Sequence, residues 1–497
     1  MDVTNNGPFN FVILGGGTAG WMCALYFQNK WKGKNIAVTL VESPQIGIVG
    51  VGEGSTPSLK NFFDDVEIDE SEWMKDCNAT YKVGIRFDGW SSAPGFESYR
   101  HPFPNQVDGF STEGFAQYCH MRRTFMDINA HPDQFFLQSY LAERNMAPLA
   151  AKSFPFTSYY GYHFDSALLG KFLAKTAVKR GVEHVQARVV SAKQGSDGNI
   201  QTLVFENEGV ISADFFIDCS GFIGYLVQKT LQVPFQSYKN NLFNDAAVVM
   251  PTDVADPLRS ETISTTLNNG WAWDIPLTNR TGNGYVYSSQ YCSDDEAETE
   301  LREKLGLLDS DVEARHLKMK VGRVENHWVK NCLAIGLSQG FIEPLEATAL
   351  HLVQVTILEF MLNFEEGNFS AANRDKFNTI VNRRFERVRD YVVAHYRLNS
   401  RNDTDYWRDN AKNQNLSNSL VKLLQAWTGA IKNDIGEEII QQNIGQHFSE
   451  VSWRILFAGY GFFPEGNLKP VPKSDQLFDM NKHQEFLKCC ALNYKKQ

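Results

Sequence analysis

The chain has 497 residues, 43% of them apolar and 21% charged, which suits two or three lobes around a large core and excludes a small binding module, a disordered chain or a collagen-like one. Its 58 acidic residues against 48 basic ones leave a net charge of −10, and no Lys/Arg cluster opposes it, so nucleic acid is excluded as a partner. From the N-terminus, residues 9–14 are β-rich, Gly15-Gly16-Gly17-Thr18-Ala19-Gly20 is a turn, and 21–30 reads as a helix with Met22, Leu25 and Tyr26 on its apolar face. A second strand over 36–41 ends in Glu42, about 20 residues beyond the last glycine, as a dinucleotide-binding βαβ unit requires. Further strands are predicted at 202–205 and 214–218. From 350 to 362, and again from 374 to 396, the apolar period becomes helical, and the C-terminal third is expected to be mainly α.

Each position of the glycine turn has a physical task. Gly15 permits the tight turn, Gly17 lets a pyrophosphate approach the backbone, and Gly20 lets helix and strand pack closely. The helix N-terminus after the turn supplies free N–H groups and a positive dipole end that suits an anion, Thr18 and Ala19 of the turn are candidate cofactor residues with the glycines, and Glu42 is placed for ribose hydroxyls. Two distant segments extend this site, the strand and small-residue turn around Asp218 and the turn marked by Gly336 and Pro344. A cofactor touched by segments so far apart is long and buried, which favours FAD over NAD.

The eight cysteines show no CxxC pair and no metal-finger spacing, as expected of reduced thiols in a cytoplasm, and no metal site is signalled. Residues 9–27 are uncharged, but Asp2, Asn10 and the triple glycine argue against a secretory or membrane-spanning reading. The expected location is cytoplasmic, with no membrane partner.

Four blocks carry a family resemblance. Gly270-Trp271-Ala272-Trp273-Asp274-Ile275-Pro276 is similar to the GWxWxIP signature of flavin-dependent halogenases, the tryptophan halogenase-like family, and 15–21 resembles their FAD motif. Residues 79–87 resemble the segment with the catalytic lysine, which falls on Lys82, and 340–349 the segment with the catalytic glutamate, Glu346, and the halide site, Thr348 and Ala349. The block 160–165 and the late 458–461 extend the likeness, which runs from about residue 9 to 464.

The resemblance implies an α/β fold. Its parts are a Rossmann-like FAD lobe of the flavin monooxygenase type with interleaved substrate segments (1–349) and a mainly helical region completing the substrate pocket (350–497). It implies that FAD, supplied reduced, gives hypohalous acid with O₂ and halide. Lys82 then relays the halogen, and Glu346 stabilises or deprotonates the arenium ion. Trp271, Trp273, Ile275 and Pro276 would line the passage near the flavin. Val49 to Pro57, with Gly50 and Ser55 against the cofactor, would be the mobile strap whose glycines permit hinge motion.

Departures from the family pattern bear on the substrate. Ala347 and Ala349 replace the usual Ser and Gly beside the halide threonine, so the choice among chloride, bromide and iodide stays open. His101 and Phe103 keep one aromatic wall and Phe448 is the candidate for the other, while the Tyr-rich clamp for an amino acid's charged ends is not visible between Gly436 and Glu450. The expected substrate is therefore an indole-like or other electron-rich aromatic rather than free tryptophan. A single dinucleotide fingerprint implies a separate NAD(P)H-dependent flavin reductase as partner, and a homo-oligomer is left open. Two alternatives compete: a related aromatic hydroxylase, which would not need Lys82, and a noncatalytic flavin-binding protein, which would need neither the Lys nor the Glu block.

Overall fold

A computed structural model describes residues 7–45, 47, 52–472 and 477–497. The chain packs into two compact units, each drawn from three segments: Met1–Ala79, Phe164–Lys239 and Met319–Glu386 in the first, Thr80–His163, Asn240–Lys318 and Arg387–Gln497 in the second. A boundary at 349/350 falls inside the first unit.

The first unit is built on a six-stranded sheet in the order Trp328–Val329, Cys332–Ala334, Phe215–Asp218, Phe9–Leu14, Ile36–Glu42, Glu183–Gln186. All its pairs are parallel except the first. Its strands are hydrophobic on both faces, as a parallel sheet covered on both sides requires. Phe11 pairs with Phe215 on one face, where Phe27 lies 4.9 Å from Phe11 and Phe360 lies 5.1 Å from Phe215, ring centre to ring centre. Val12 pairs with Phe216 on the other face and packs with Leu203, Phe205 and Leu226.

The helix after the glycine turn spans Thr18–Lys30, three residues earlier than expected, because Gly17 is already the extended N-cap. Every residue from Gly20 to Phe27 is buried, so the expected single apolar face gives way to a helix enclosed on all sides. It packs against the helices Ser166–Lys179 and Ala349–Glu366.

The second unit holds a seven-stranded sheet in the order Arg315–Lys318, Ala246–Thr252, Thr281–Tyr287, Gly270–Pro276, Glu261–Leu267, Gly84–Asp88, Ser98–Pro102. It is antiparallel except where Glu261–Leu267 pairs with Gly84–Asp88. Ala272, Tyr285 and Tyr287 are covered on one face by Ala297 and Leu301 of the helix Asp294–Leu305. The C-terminal region is mainly helical, and its first two helices, Ala349–Glu366 and Arg374–Leu398, outrun the predicted spans by a few residues. No helix among the described residues is long and apolar enough to cross a membrane.

Candidate active site

The glycine turn lies at the carboxyl edge of the parallel sheet. Gly15 has φ +120°, and a Cβ there would lie 2.1 Å from the Cys219 carbonyl oxygen. At Gly20 a Cβ would lie 2.0 Å from the Gly15 carbonyl oxygen, whereas at Gly17 it would meet nothing within 4 Å. Gly15 and Gly20 are therefore required by packing, and Gly17 faces open space beside the start of a helix whose N-cap makes no side-chain hydrogen bond. That combination fits a pyrophosphate approaching uncapped amides.

Around the turn stand the other predicted cofactor residues of this unit. Glu42 ends its strand, and its Oε1 accepts a hydrogen bond of 2.8 Å from His184 Nε2. A Cβ on Gly16 would lie 1.6 Å from Glu42 Oε2, so the carboxylate is held against the turn. Gly336, with φ +74°, comes close enough to the helix start that a Cβ would lie 2.9 Å from that of Ala19.

Asp218 is fully buried. Its carboxylate accepts from Ser220 N and Oγ and from the amides of Leu226 and Val227, at 2.6–3.0 Å. Burial raises its pKa while these bonds oppose the shift. With both oxygens so occupied, what Asp218 offers a cofactor is the turn it braces. Ser55 is buried after the strand Gly52–Gly54, and Gly50, with the first part of the expected strap, lies outside the described residues. Beside it the carboxyl of Glu53 is pushed up to about 7 by burial, with Asp165 adding to the shift and a hydrogen bond from Ser166 opposing it.

Glu346 and Thr348 belong to the same unit and are each 3% exposed. Pro344 opens the short turn Pro344–Glu346, and Ala347 follows it with φ +55°, a left-handed conformation that costs an alanine about 1–2 kcal/mol. Thr348 is the N-cap of the helix Ala349–Glu366, and among the described residues its buried Oγ1 has no hydrogen-bond partner. An orphaned hydroxyl donor at the positive end of an 18-residue helix is chemically suited to a halide.

Lys82 lies in the second unit, with no solvent exposure, at the end of the strand Thr80–Lys82. It pairs opposite Gly161, and its Nζ lies 5.5 Å from the centre of the Phe103 ring. The next residue is pinned on both sides, since Val83 N donates to Ser260 O and Phe103 N donates to Val83 O, both at 2.8 Å.

The strand Gly270–Pro276 places Trp271, Trp273 and Ile275 on one face, all buried, with the two indole rings 6.2 Å apart. Trp273 lies over Gly284, where a Cβ would come within 2.2 Å of the ring. Its Nε1 is buried without a hydrogen-bond partner among the described residues. Pro276 closes the strand and accepts a 2.7 Å hydrogen bond from Thr80 Oγ1.

Of the expected substrate walls, His101 is half-buried, with Nε2 3.1 Å from Ser452 Oγ, and the Phe103 ring borders Lys82. Phe448 is buried. One of its faces is covered by Tyr391, ring centres 3.6 Å apart and planes 2° from parallel, and His101 stands 6.3 Å away. Tyr391, His163 and His184 are site neighbours that sequence reasoning missed. The 160–165 block carried the signal for His163, though not its partners.

In the late helix Glu450–Gly459, Glu450 Oε1 accepts from Arg454 at 2.6 Å, and Arg454 also donates to Asp434. Among the described residues no group of three or more His, Cys, Asp or Glu could hold a metal ion.

The family model described as tryptophan halogenase matches residues 10–475. The chain is 40% identical to the tryptophan 6-halogenase of Streptomyces toxytricini over 446 residues, covering 84% of each protein. The crystal structure of a tryptophan 6-halogenase from that organism superposes with a TM-score of 0.85 at 34% identity, covering 98% of this chain and 96% of the other. A flavin-dependent halogenase from Xanthomonas campestris superposes with a TM-score of 0.82 at 31% identity, covering 98% and 95%.

Proposed function

Because the chain belongs to the tryptophan halogenase family and is thereby a flavin-dependent halogenase, we propose that it halogenates an electron-rich, indole-bearing aromatic, with FAD supplied reduced by a separate NAD(P)H-dependent reductase. The observation that carries this reading is Lys82, an ammonium group with no solvent exposure, followed directly by Val83, which is hydrogen-bonded on both sides. Burying such a group is costly, and a site that must act on a reactive halogen species gives it a purpose.

The first unit would hold the cofactor. The amides opening Thr18–Lys30 would take the pyrophosphate and Glu42 the ribose hydroxyls, with the turns at Asp218 and Gly336 alongside. Bound reduced FAD would supply hypohalous acid from O₂ and halide. Thr348 Oγ1 and the first amides of Ala349–Glu366 would hold the halide.

The aromatic ring attacks the halogen of HOX, a C–X bond forming as the O–X bond breaks. Lys82 donates a hydrogen bond and then a proton to the departing oxygen, which leaves as water. The ring proton passes to the Glu346 carboxylate, and exchange through solvent restores both groups. The net reaction is ArH + HOX → ArX + H₂O.

The surroundings of Glu450 support the choice of substrate class. The relatives' names refer to tryptophan, but here Glu450 is tied to Arg454, and the 436–450 segment has no tyrosine to receive an amino acid's charged ends. A zwitterion's desolvation would go uncompensated, which favours indole over free tryptophan.

The test combines the protein with a flavin reductase, NADH, FAD, O₂ and each of chloride, bromide and iodide, and reads products from indole and tryptophan by mass spectrometry. Halogenated indole with the higher specificity constant is expected. Hydroxylated product without halogenation would favour the hydroxylase reading, and a higher specificity constant for tryptophan would overturn the substrate claim.

A further inference from the structure

Next to Lys82 runs a buried hydrogen-bond chain with no assigned task. Thr80 sits directly opposite His163 in the strand pair, and Lys82, two residues on, shares the face of Thr80. Thr80 Oγ1 is 2.7 Å from the Pro276 carbonyl oxygen and 3.0 Å from His163 Nδ1, while His163 Nε2 is 3.0 Å from Thr262 Oγ1.

The donor directions follow from chemistry. A carbonyl oxygen only accepts, so the Thr80 hydroxyl proton is committed to Pro276, and Nδ1 of His163 must donate to Thr80. On a ring with one proton, Nε2 is then the acceptor and Thr262 the donor. His163 is fully buried, and burial together with the charges of Lys82 and Arg259 holds its pKa well below the ordinary value. In this arrangement a neutral ring takes the Nδ1–H form.

We propose that His163 is a positioning residue for halogen delivery: it fixes Thr80, two residues before Lys82, to Thr262 of the strand Glu261–Leu267, while the Thr80 hydroxyl it steadies reaches Pro276 at the end of the Trp271/Trp273 strand. The proposal rests on the reading that Lys82 handles the halogen. An apolar side chain would fill the same space without tying the two strands. A second cation beside Lys82 would compete with it for the oxygen of HOX.

Thr80→Val keeps the side chain's volume while removing both the donor to Pro276 and the acceptor for Nδ1. Thr80→Ser keeps both. In Thr80→Val, flavin oxidation should continue, while halogenated product per flavin oxidised falls about fivefold or more, the size expected when a buried hydrogen-bond partner is lost. The loss should appear in kcat rather than KM, and Thr80→Ser should recover the ratio to within about twofold.

Independently, ¹⁵N NMR of histidine-labelled full-length protein, with the signal assigned by its loss in His163→Gln, should show a neutral Nδ1–H ring that does not titrate between about pH 5 and 8. That measurement decides the matter if Thr80→Val fails to fold. An Nε2–H tautomer, a ring titrating near its ordinary pKa, or an unchanged product ratio in folded Thr80→Val would overturn the proposal. If Lys82→Ala halogenates normally, the Lys82 reading itself fails. If Lys82→Ala is inactive while Thr80→Val is normal, only the role of His163 falls.

Discussion

At the glycine turn of the first unit, the groups offered to a ligand are backbone amides, and side chains are kept out: a Cβ on Gly15, Gly16 or Gly20 would lie 1.6–2.1 Å from a neighbouring atom. Around Lys82 in the second unit, the polar groups are side chains, held by bonds between strands far apart in sequence. Substitutions in the turn should therefore divide sharply between loss of fold and loss of ligand. Substitutions around Lys82 should leave fold and flavin chemistry largely intact while separating flavin oxidation from halogenation.

The largest effect that would sharpen this contrast lies in the turn itself. Gly20→Val drives a side chain into the Gly15 carbonyl and should cost about 3 kcal/mol or more, read as a fall in Tm or as insoluble protein. Gly17→Val should fold normally and lose FAD affinity by at least about a hundredfold in a flavin-fluorescence titration, because its Cβ enters the space a pyrophosphate would take. Unchanged affinity in Gly17→Val would break the assignment of the turn to FAD.

Next comes Glu346→Gln, which keeps the shape and removes the charge. It should slow halogenation by about 10²-fold while flavin oxidation continues, as stopped-flow and product analysis would show. Tyr391→Leu removes the ring stacked on Phe448, and its effect should be smaller. A fall of about two- to tenfold in kcat/KM for indole, carried by KM, is expected from the loss of one aromatic pair.

An effect on stability alone concerns Glu53. Its folded pKa of about 7 lies above the ordinary 4.5, so between those values the folded protein binds more protons than the unfolded chain and stability falls as pH rises. Glu53→Gln should remove about 1–3 kcal/mol of that fall, measured by urea unfolding at pH 4.5 and 7.5.

What could be read in the sequence follows the same divide. The strand 9–14, its turn and Glu42 are legible because local rules govern them: a β-rich run, glycines where a Cβ would collide, and an acid at a fixed offset. Only the helix start was misplaced, since Thr18, Ala19 and Gly20 read as turn residues and are helical once Gly17 is extended. The alternation of Trp271 and Trp273 is legible on its strand, but the parallel pairing of Glu261–Leu267 with Gly84–Asp88 is not, because nothing local specifies a partner so distant. His163 is the sharpest case: its chain joins residues 83, 99 and 196 positions apart. The stack of Tyr391 on Phe448 was hidden for the same reason.

The central claim is that Lys82 handles the halogen downstream of flavin chemistry. Lys82→Ala, supplied with reduced FAD, O₂ and bromide, should oxidise flavin at a rate within about twofold of the parent, release hypobromous acid or peroxide to a solution trap, and yield at least about 10³-fold less brominated indole. Near-normal, regioselective bromination of indole by that variant would contradict the account.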